Sequence, residues 1–162
     1  MEKSGFSLLF PTVNTTASPA ISYAGTFERS MDAKNRVTIP AAWLEGGPAS
    51  FHAIASPSGD FLIVMPPSEF DTMEERIKSS GVPPQEQRRA IRQFYGQARA
   101  LSADGQGRIL LPEEQCSAAS LKGEVVLVGG RSRFEIWNAA RWAAIRAEDA
   151  ATFQQVAELI GL

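Results

Sequence analysis

The chain has 162 residues and is 44% hydrophobic, enough apolar material for one ordinary domain or two small ones around a packed core. A formal net charge of -2 excludes a globally basic nucleic-acid-binding protein, so any DNA binding depends on charge concentrated on one face. Cys116 is the single cysteine, which excludes an intrachain disulfide and a cysteine-rich zinc framework and is typical of a reducing cytosol.

Residues 1–22 are interpreted as a mobile N-terminal tail. They contain a short apolar run, residues 6–10, which Pro11 interrupts. Five positions are too few for the core of a signal peptide, and no other stretch of the sequence approaches the length of a membrane span. The sequence therefore predicts neither a secretory leader nor a membrane partner.

An internal repeat organises the rest of the chain. A shift of 72 positions superimposes residues 32–40 on residues 104–112 without a gap, with Asp, Arg and Pro at the same three places. The same shift superimposes residues 61–65 on residues 133–137, and a helix-like segment follows each of them. Two copies of one structural unit are the economical explanation.

Each repeat begins with two predicted strands joined by a tight turn. Residues 34–35 and 106–107 form the turns, and they supply Asn or Gly, the residues that best tolerate positive φ. In the strand after the first turn, apolar Val37 and Ile39 alternate with polar neighbours, which is the period of a half-buried strand. This alternation points Arg36 away from the core.

A short helical turn, two further strands and an amphipathic helix complete each repeat. Proline begins both helical turns, a position where its missing N–H costs nothing. The strands are predicted at 51–55, 61–65, 124–128 and 133–137. Apolar residues at helical spacing follow, and we predict that they belong to the core: Phe70, Met73, Ile77, Trp142 and Ile145.

The domain boundaries follow from this repeat. We predict a first module at residues 23–79, a linking helix at 80–95, a second module at 96–146 and a C-terminal helix at 147–162. The expected fold class is therefore α+β and β-rich, with two tandem modules and flanking helices.

Both additional helices have a distinctive face. The linking helix carries Arg88, Arg89 and Arg92 on one side, a weaker candidate for DNA contact because charged helix faces are usually only solvated. In the C-terminal helix, apolar residues recur at i, i+3 and i+7, which predicts a docking helix or an oligomer contact; they are Phe153, Val156 and Ile160.

Enzyme chemistry lacks its usual components. The sequence has one His, one Cys and no phosphate-loop or metal-ligand motif, so we predict no catalytic residue, no metal and no cofactor. His52 lies in a predicted apolar strand and Cys116 in a short apolar helix, where structural roles are expected for both. A small enzyme that depends on carboxylates alone stays open, and it would require a pocket in which several acids meet.

The repeated Asp-x-x-x-Arg motif has two interpretations that divide between its residues. Asp32 and Asp104 precede a tight turn, where a carboxylate accepts local backbone N–H groups, so we expect them to organise the turns. Arg36 and Arg108 point outward from a rigid hairpin, from which they can reach phosphates or bind guanine O6 and N7 with two hydrogen bonds. Lys34 adds a flexible phosphate-binding charge in the first repeat only.

At these residues the chain resembles the MraZ family of bacterial proteins, whose two modules are of the SpoVT/AbrB swapped-hairpin type. The resemblance extends from about Tyr23 to Asp149 and rests mainly on both Asp-x-x-x-Arg copies at the correct spacing. It also includes residues 25–27, 128–129 and 134–137. Asn35 stands where Gly is commoner in the family.

The resemblance implies a fold of two AbrB-like swapped-hairpin β-barrel modules and a cytoplasmic or nucleoid-associated regulator. Such proteins assemble into homo-oligomeric rings and bind direct repeats in the promoter of the division and cell-wall gene cluster. Arg36, Arg108 and Lys34 match the family's DNA-contact positions. An antitoxin-like module that binds a partner protein is the alternative, although no long toxin-binding tail follows the second module.

Overall fold

Both strands and helices occur along residues 22–162, the part of the chain that the computed structural model describes. The strands are β1 (Thr26–Ser30), β2 (Arg36–Thr38), β3 (Ser50–Ala55), β4 (Phe61–Met65), β5 (Arg99–Ser102), β6 (Arg108–Leu110), β7 (Glu124–Gly129) and β8 (Phe134–Asn138). The helices are α1 (Ala41–Leu44), α2 (Pro67–Phe70), α3 (Met73–Lys78), α4 (Pro84–Gln97), α5 (Glu113–Ala118) and α6 (Ala139–Ile160). The predicted N-terminal tail lies outside the described residues except for Ser22.

The order of elements repeats along the chain, because strands β1 to β4 recur as β5 to β8 about 72 residues later. The four strands predicted in the middle of the repeats agree with β3, β4, β7 and β8 to within one residue at each end. A six-stranded antiparallel sheet, in the order β1-β7-β8-β4-β3-β5, lies beside a two-stranded sheet of β2 and β6. The prediction of an α+β fold is confirmed, but the expectation that it is β-rich is not met, because the helices of the described residues span more residues than the strands.

The repeats exchange their first two strands. Strand β1 pairs with β7, β5 pairs with β3, and β2 pairs with β6, so each of these strands is hydrogen-bonded to the other repeat. Strands β4 and β8, one from each repeat, join the halves at the centre of the large sheet. The two sequence repeats are consequently interlocked and share one core.

The two-stranded sheet of β2 and β6, called the ribbon below, is held against the large sheet by its apolar underside. Val37 and Ile109, which face each other across the ribbon, are 1% and 0% exposed. They join the core cluster that includes Phe51 and Phe134. Because β-branched side chains on a buried face fix the register of a strand pair, this packing also fixes where the outward residues lie.

A second apolar cluster anchors the linking helix to the first repeat. Met73 is buried there, and Phe70 is half-buried between the aromatic rings of Phe94 and Tyr95 on α4. The ring of His52 stacks on Phe70 at a centroid separation of 3.7 Å. Helix α4 therefore belongs to the packed structure and is not a spacer.

Helix α6 is continuous from Ala139 to Ile160, so the C-terminal helix predicted from residue 147 is the second half of a longer helix. Asn138 begins it as an N-cap, since its side-chain oxygen accepts hydrogen bonds from the N–H groups of Ala140 and Arg141 at 2.8 and 3.2 Å. Gly161 ends it in the left-handed conformation. None of the helices in the described residues is both long and apolar enough to cross a membrane.

Candidate nucleic-acid interface

The first turn, residues 32–36, is organised by one carboxylate. Oδ1 of Asp32 accepts hydrogen bonds from the backbone N–H groups of Lys34 at 2.9 Å and Arg36 at 2.8 Å. Oδ2 accepts from Nε of Arg36 at 2.6 Å. Both oxygens of a single Asp therefore hold the turn and the outgoing Arg side chain together.

The second turn, residues 104–108, repeats this geometry atom for atom. Oδ1 of Asp104 accepts from the backbone N–H groups of Gln106 at 2.9 Å and Arg108 at 3.0 Å, and Oδ2 accepts from Nε of Arg108 at 2.9 Å. Two independent sequence segments thus reach the same arrangement, which is a property of the Asp-x-x-x-Arg spacing itself.

Positive φ at one residue closes each turn. Asn35 has φ of 61° and Gly107 has φ of 78°, as expected for the two residue types that enter this region most readily. The same residues connect the repeats, because the carbonyl of Gly107 accepts from the N–H of Ile39 at 2.8 Å and the carbonyl of Asn35 accepts from Leu111 at 2.9 Å. The two turns are consequently held in a fixed relation.

The outward face of the ribbon carries both arginines. Arg36 is opposite Leu110 and Thr38 is opposite Arg108, while the intervening pair is buried. Arg36 and Arg108 are therefore diagonal neighbours on one face, at a Cα separation of about 8 Å. Their side chains are 30% and 29% exposed.

Each Asp carboxylate is stabilised in its ionised form by the arginine of its own motif. The backbone N–H of Arg36 is the main cause that lowers the pKa of Asp32, and the guanidinium of Arg36 lowers it further. The backbone N–H and guanidinium of Arg108 lower the pKa of Asp104 in the same way. Among the described residues each guanidinium uses only Nε, so Nη1 and Nη2 have no protein partner.

Two further positions supply charge beside the turns. Lys34 is exposed at the tip of the first turn, and Gln106 is exposed at the corresponding place in the second. Arg29 on β1 lines a groove together with Gln106 and Gly107, so a cation lies beside the second turn as well. Sequence reasoning missed Arg29 because its counterpart at the 72-residue shift is Leu101, and only the strand exchange brings β1 to this place.

The other sequence candidates lie elsewhere. Arg88, Arg89 and Arg92 are exposed on α4, which packs against α3 and β3 and not against the ribbon. Burial raises the pKa of the Cys116 thiol, and Nδ1 of His52 is buried without a hydrogen-bond partner in the described structure. No group of three potential metal ligands occurs within residues 22–162.

Comparison with known proteins identifies the family. A family model described as "MraZ protein, putative antitoxin-like" matches residues 94–161. The protein named transcriptional regulator MraZ from Symbiobacterium thermophilum is 36% identical over 85% of this chain and 99% of the relative. The proteins of the same name from Desulforamulus reducens and Lactiplantibacillus plantarum are 34% and 32% identical, over 96% of each relative and 85% and 84% of this chain. The resemblance found in the repeated motif is thereby confirmed, and the chain belongs to the MraZ family.

Proposed function

We propose that this chain is a transcriptional regulator that binds double-stranded DNA through the outward face of the ribbon. The observation that carries the proposal is the pair of arginines on that face, each held through Nε by its own Asp. Such a guanidinium presents Nη1 and Nη2 as a fork, which matches guanine O6 and N7 or a phosphate. A two-stranded ribbon also has the width that the major groove admits.

The exchange of strands between the repeats supports the more specific fold. We propose that the halves are two AbrB-like swapped-hairpin modules, with residues 23–79 and 96–146 as their extents in sequence. Since each module contributes one Asp-held arginine, the site is complete only when both repeats are present. The proposal requires no catalytic residue, metal, cofactor or small-molecule substrate.

Assembly into a homo-oligomeric ring is part of the same proposal. With a net charge of -2, one chain is a poor ligand for DNA, whereas linked copies that contact successive direct repeats gain affinity through effective concentration. The relatives are named transcriptional regulators, and the family resemblance of the repeated motif suggests the more specific target: the promoter of a division and cell-wall gene cluster, with the chain repressing its own cluster. The expected location is the cytoplasm, at the nucleoid.

The experiment that tests this function is a fluorescence-anisotropy titration with DNA from directly upstream of the gene and with a scrambled duplex of equal length. We expect binding at least about 1,000-fold tighter to the upstream DNA, as is usual for specific over non-specific complexes. The logarithm of the binding constant should fall with a slope of about -0.9 per phosphate contact against the logarithm of salt concentration. Equal, weak binding to both duplexes would contradict the proposal and favour an antitoxin-like module that binds a protein.

Asp32→Asn tests the positioning role of the carboxylate. The amide oxygen of Asn can still accept the two backbone N–H groups of the first turn, but a neutral amide no longer holds Nε of Arg36 by charge. We expect upstream-DNA affinity to fall several-fold while scrambled-DNA affinity stays equal or rises, because a negative charge beside the DNA is removed. Equal losses on both duplexes would instead assign Asp32 to the structure of the turn alone.

A further inference from the structure

An exposed leucine lies on the outward face of the ribbon. Leu110 is 57% exposed and belongs to neither apolar cluster of the described residues. Among residues 22–152 it is the only exposed large apolar side chain, since the others of this kind lie on the second half of α6 or at the C-terminus. A single exposed leucine is common on protein surfaces, so its meaning depends on what surrounds it.

The strand register makes Leu110 a neighbour of both arginines of the proposed DNA face. Leu110 lies directly across the ribbon from Arg36, and Arg108 is two positions earlier on the same strand. Side chains that face each other across an antiparallel pair have Cβ atoms about 4.5–5.5 Å apart, and residues two apart on one strand point to the same face. A ligand that contacts both arginines therefore also covers Leu110.

The direction of the Leu110 side chain is fixed by the residues on either side of it. Ile109 and Leu111 are both buried in the core. The N–H of Leu111 also donates to the carbonyl of Asn35 at 2.9 Å, which ties this end of β6 to the first turn. Because successive side chains of a strand alternate between its faces, Leu110 points outward from a backbone that is already held in place.

Thymine is the base that an apolar side chain matches in the major groove, because its C5-methyl is an apolar group on the groove edge. The other bases present mainly donors and acceptors there, which a leucine would leave unpaired. We infer that Leu110 contacts the C5-methyl group of a thymine beside the guanine that Arg36 binds. The separation of the two bases is about one or two base steps, since the Cβ atoms are about 5 Å apart and each step rises about 3.4 Å.

The other half of the ribbon carries a different group at this place. Thr38 corresponds to Leu110 at the 72-residue shift, and it lies opposite Arg108. Its side chain is one carbon shorter and ends partly in a hydroxyl, which exchanges hydrogen bonds with bases or phosphates. The turns differ as well, with Lys34 in the first and Gln106 in the second. The two halves therefore contact different groups, and the site has a direction along the DNA.

The test replaces the thymines of the upstream duplex one at a time by uracil, which lacks only the C5-methyl group. The inference rests on the proposed function, because it names a base that the ribbon recognises. For the parent protein we expect one replacement in each bound repeat to lower the affinity about four-fold, the effect of one methyl group that loses its apolar contact. Replacement of the other thymines should have little effect. Anisotropy titrations of the full chain at fixed salt measure each affinity.

Leu110→Ala identifies the side chain that makes the contact. This variant should bind the thymine duplex about four-fold more weakly than the parent or weaker still, and the sensitive uracil replacement should not lower its affinity further. Thr38→Ala is the matched control, because it truncates the corresponding side chain on the same face and should keep the full sensitivity to uracil. Circular dichroism and light scattering check that both variants keep the fold and the solution mass of the parent.

The outcomes separate this inference from the proposed function. If the parent prefers the upstream DNA but no uracil replacement lowers its affinity, or if the same replacement weakens Leu110→Ala equally, the thymine contact is wrong and the regulator proposal stands. A lower solution mass of Leu110→Ala would also overturn the inference, since the leucine would then lie between copies of the chain. If the parent does not distinguish upstream from scrambled DNA, both proposals fail.

Discussion

Alanine at both Arg36 and Arg108 is expected to weaken binding to the upstream DNA by about 100-fold or more while the protein stays folded. Each bidentate contact between an arginine and a base contributes about 1–3 kcal/mol of discrimination, and the double variant removes one from each repeat. It also leaves the carboxylates of Asp32 and Asp104 without their cations, so that two negative charges face the DNA. Anisotropy titrations of both duplexes measure the effect.

Two control variants separate geometry from charge. Arg88→Ala combined with Arg89→Ala also removes two positive charges, but from α4, whose exposed face lies away from the ribbon. This variant should lower the affinity for the upstream DNA at most a few-fold. Arg36→Lys combined with Arg108→Lys keeps the charge but lacks the planar fork, so it should retain binding to scrambled DNA and lose discrimination. If the α4 variant proves as damaging as the ribbon variant, the interface has been misplaced.

Gly129→Ala is expected to have the largest effect on stability. A Cβ at this position would lie 2.4 Å from the carbonyl oxygen of Tyr23 and 2.8 Å from the Cα of Ala24, and backbone atoms cannot move aside as a side-chain tip can. The N–H of Gly129 also donates to the carbonyl of Gly25 at 2.9 Å, so the segment before β1 cannot shift without losing that bond. We expect a loss of about 3 kcal/mol or more, a large share of a typical domain's stability.

Urea unfolding followed by tryptophan fluorescence gives the free energy of unfolding. Gly96→Ala on α4 is the matched control, because its Cβ would meet no atom within 4 Å and alanine favours a helix. The control should be as stable as the parent or more stable. A Gly129→Ala variant with the parent's unfolding midpoint would show that residues 23–25 do not lie against β7.

Local patterns identified the parts of the site that a single segment determines. The alternation around Val37 predicted an outward Arg36, since a strand with a buried face has only one other face. The Asp-x-x-x-Arg spacing predicted a turn organised by carboxylate, and Oδ1 of Asp32 and of Asp104 each accept two backbone hydrogen bonds there. These features depend on residues within five positions of one another.

The features that no local pattern predicts depend on contacts between the repeats. A strand such as β1 has the same alternation whether it pairs with its own repeat or with the other, so the exchange is not encoded in its periodicity. For that reason Arg29, on an ordinary strand, was not connected with the second turn. The boundary predicted at residue 147 is not a break in helix α6: the backbone continues to Ile160, although residues 146–160 are exposed apart from Ala157.

The measurement that most directly tests the central claim is backbone hydrogen exchange of the full chain with and without the upstream DNA. If the chain binds through the ribbon, upstream DNA should slow exchange in residues 32–38 of the first repeat and 104–110 of the second, and should not change exchange along α4. Scrambled DNA should leave both turns unprotected. Protection confined to α4, or to one turn alone, would contradict a site that requires both Asp-held arginines.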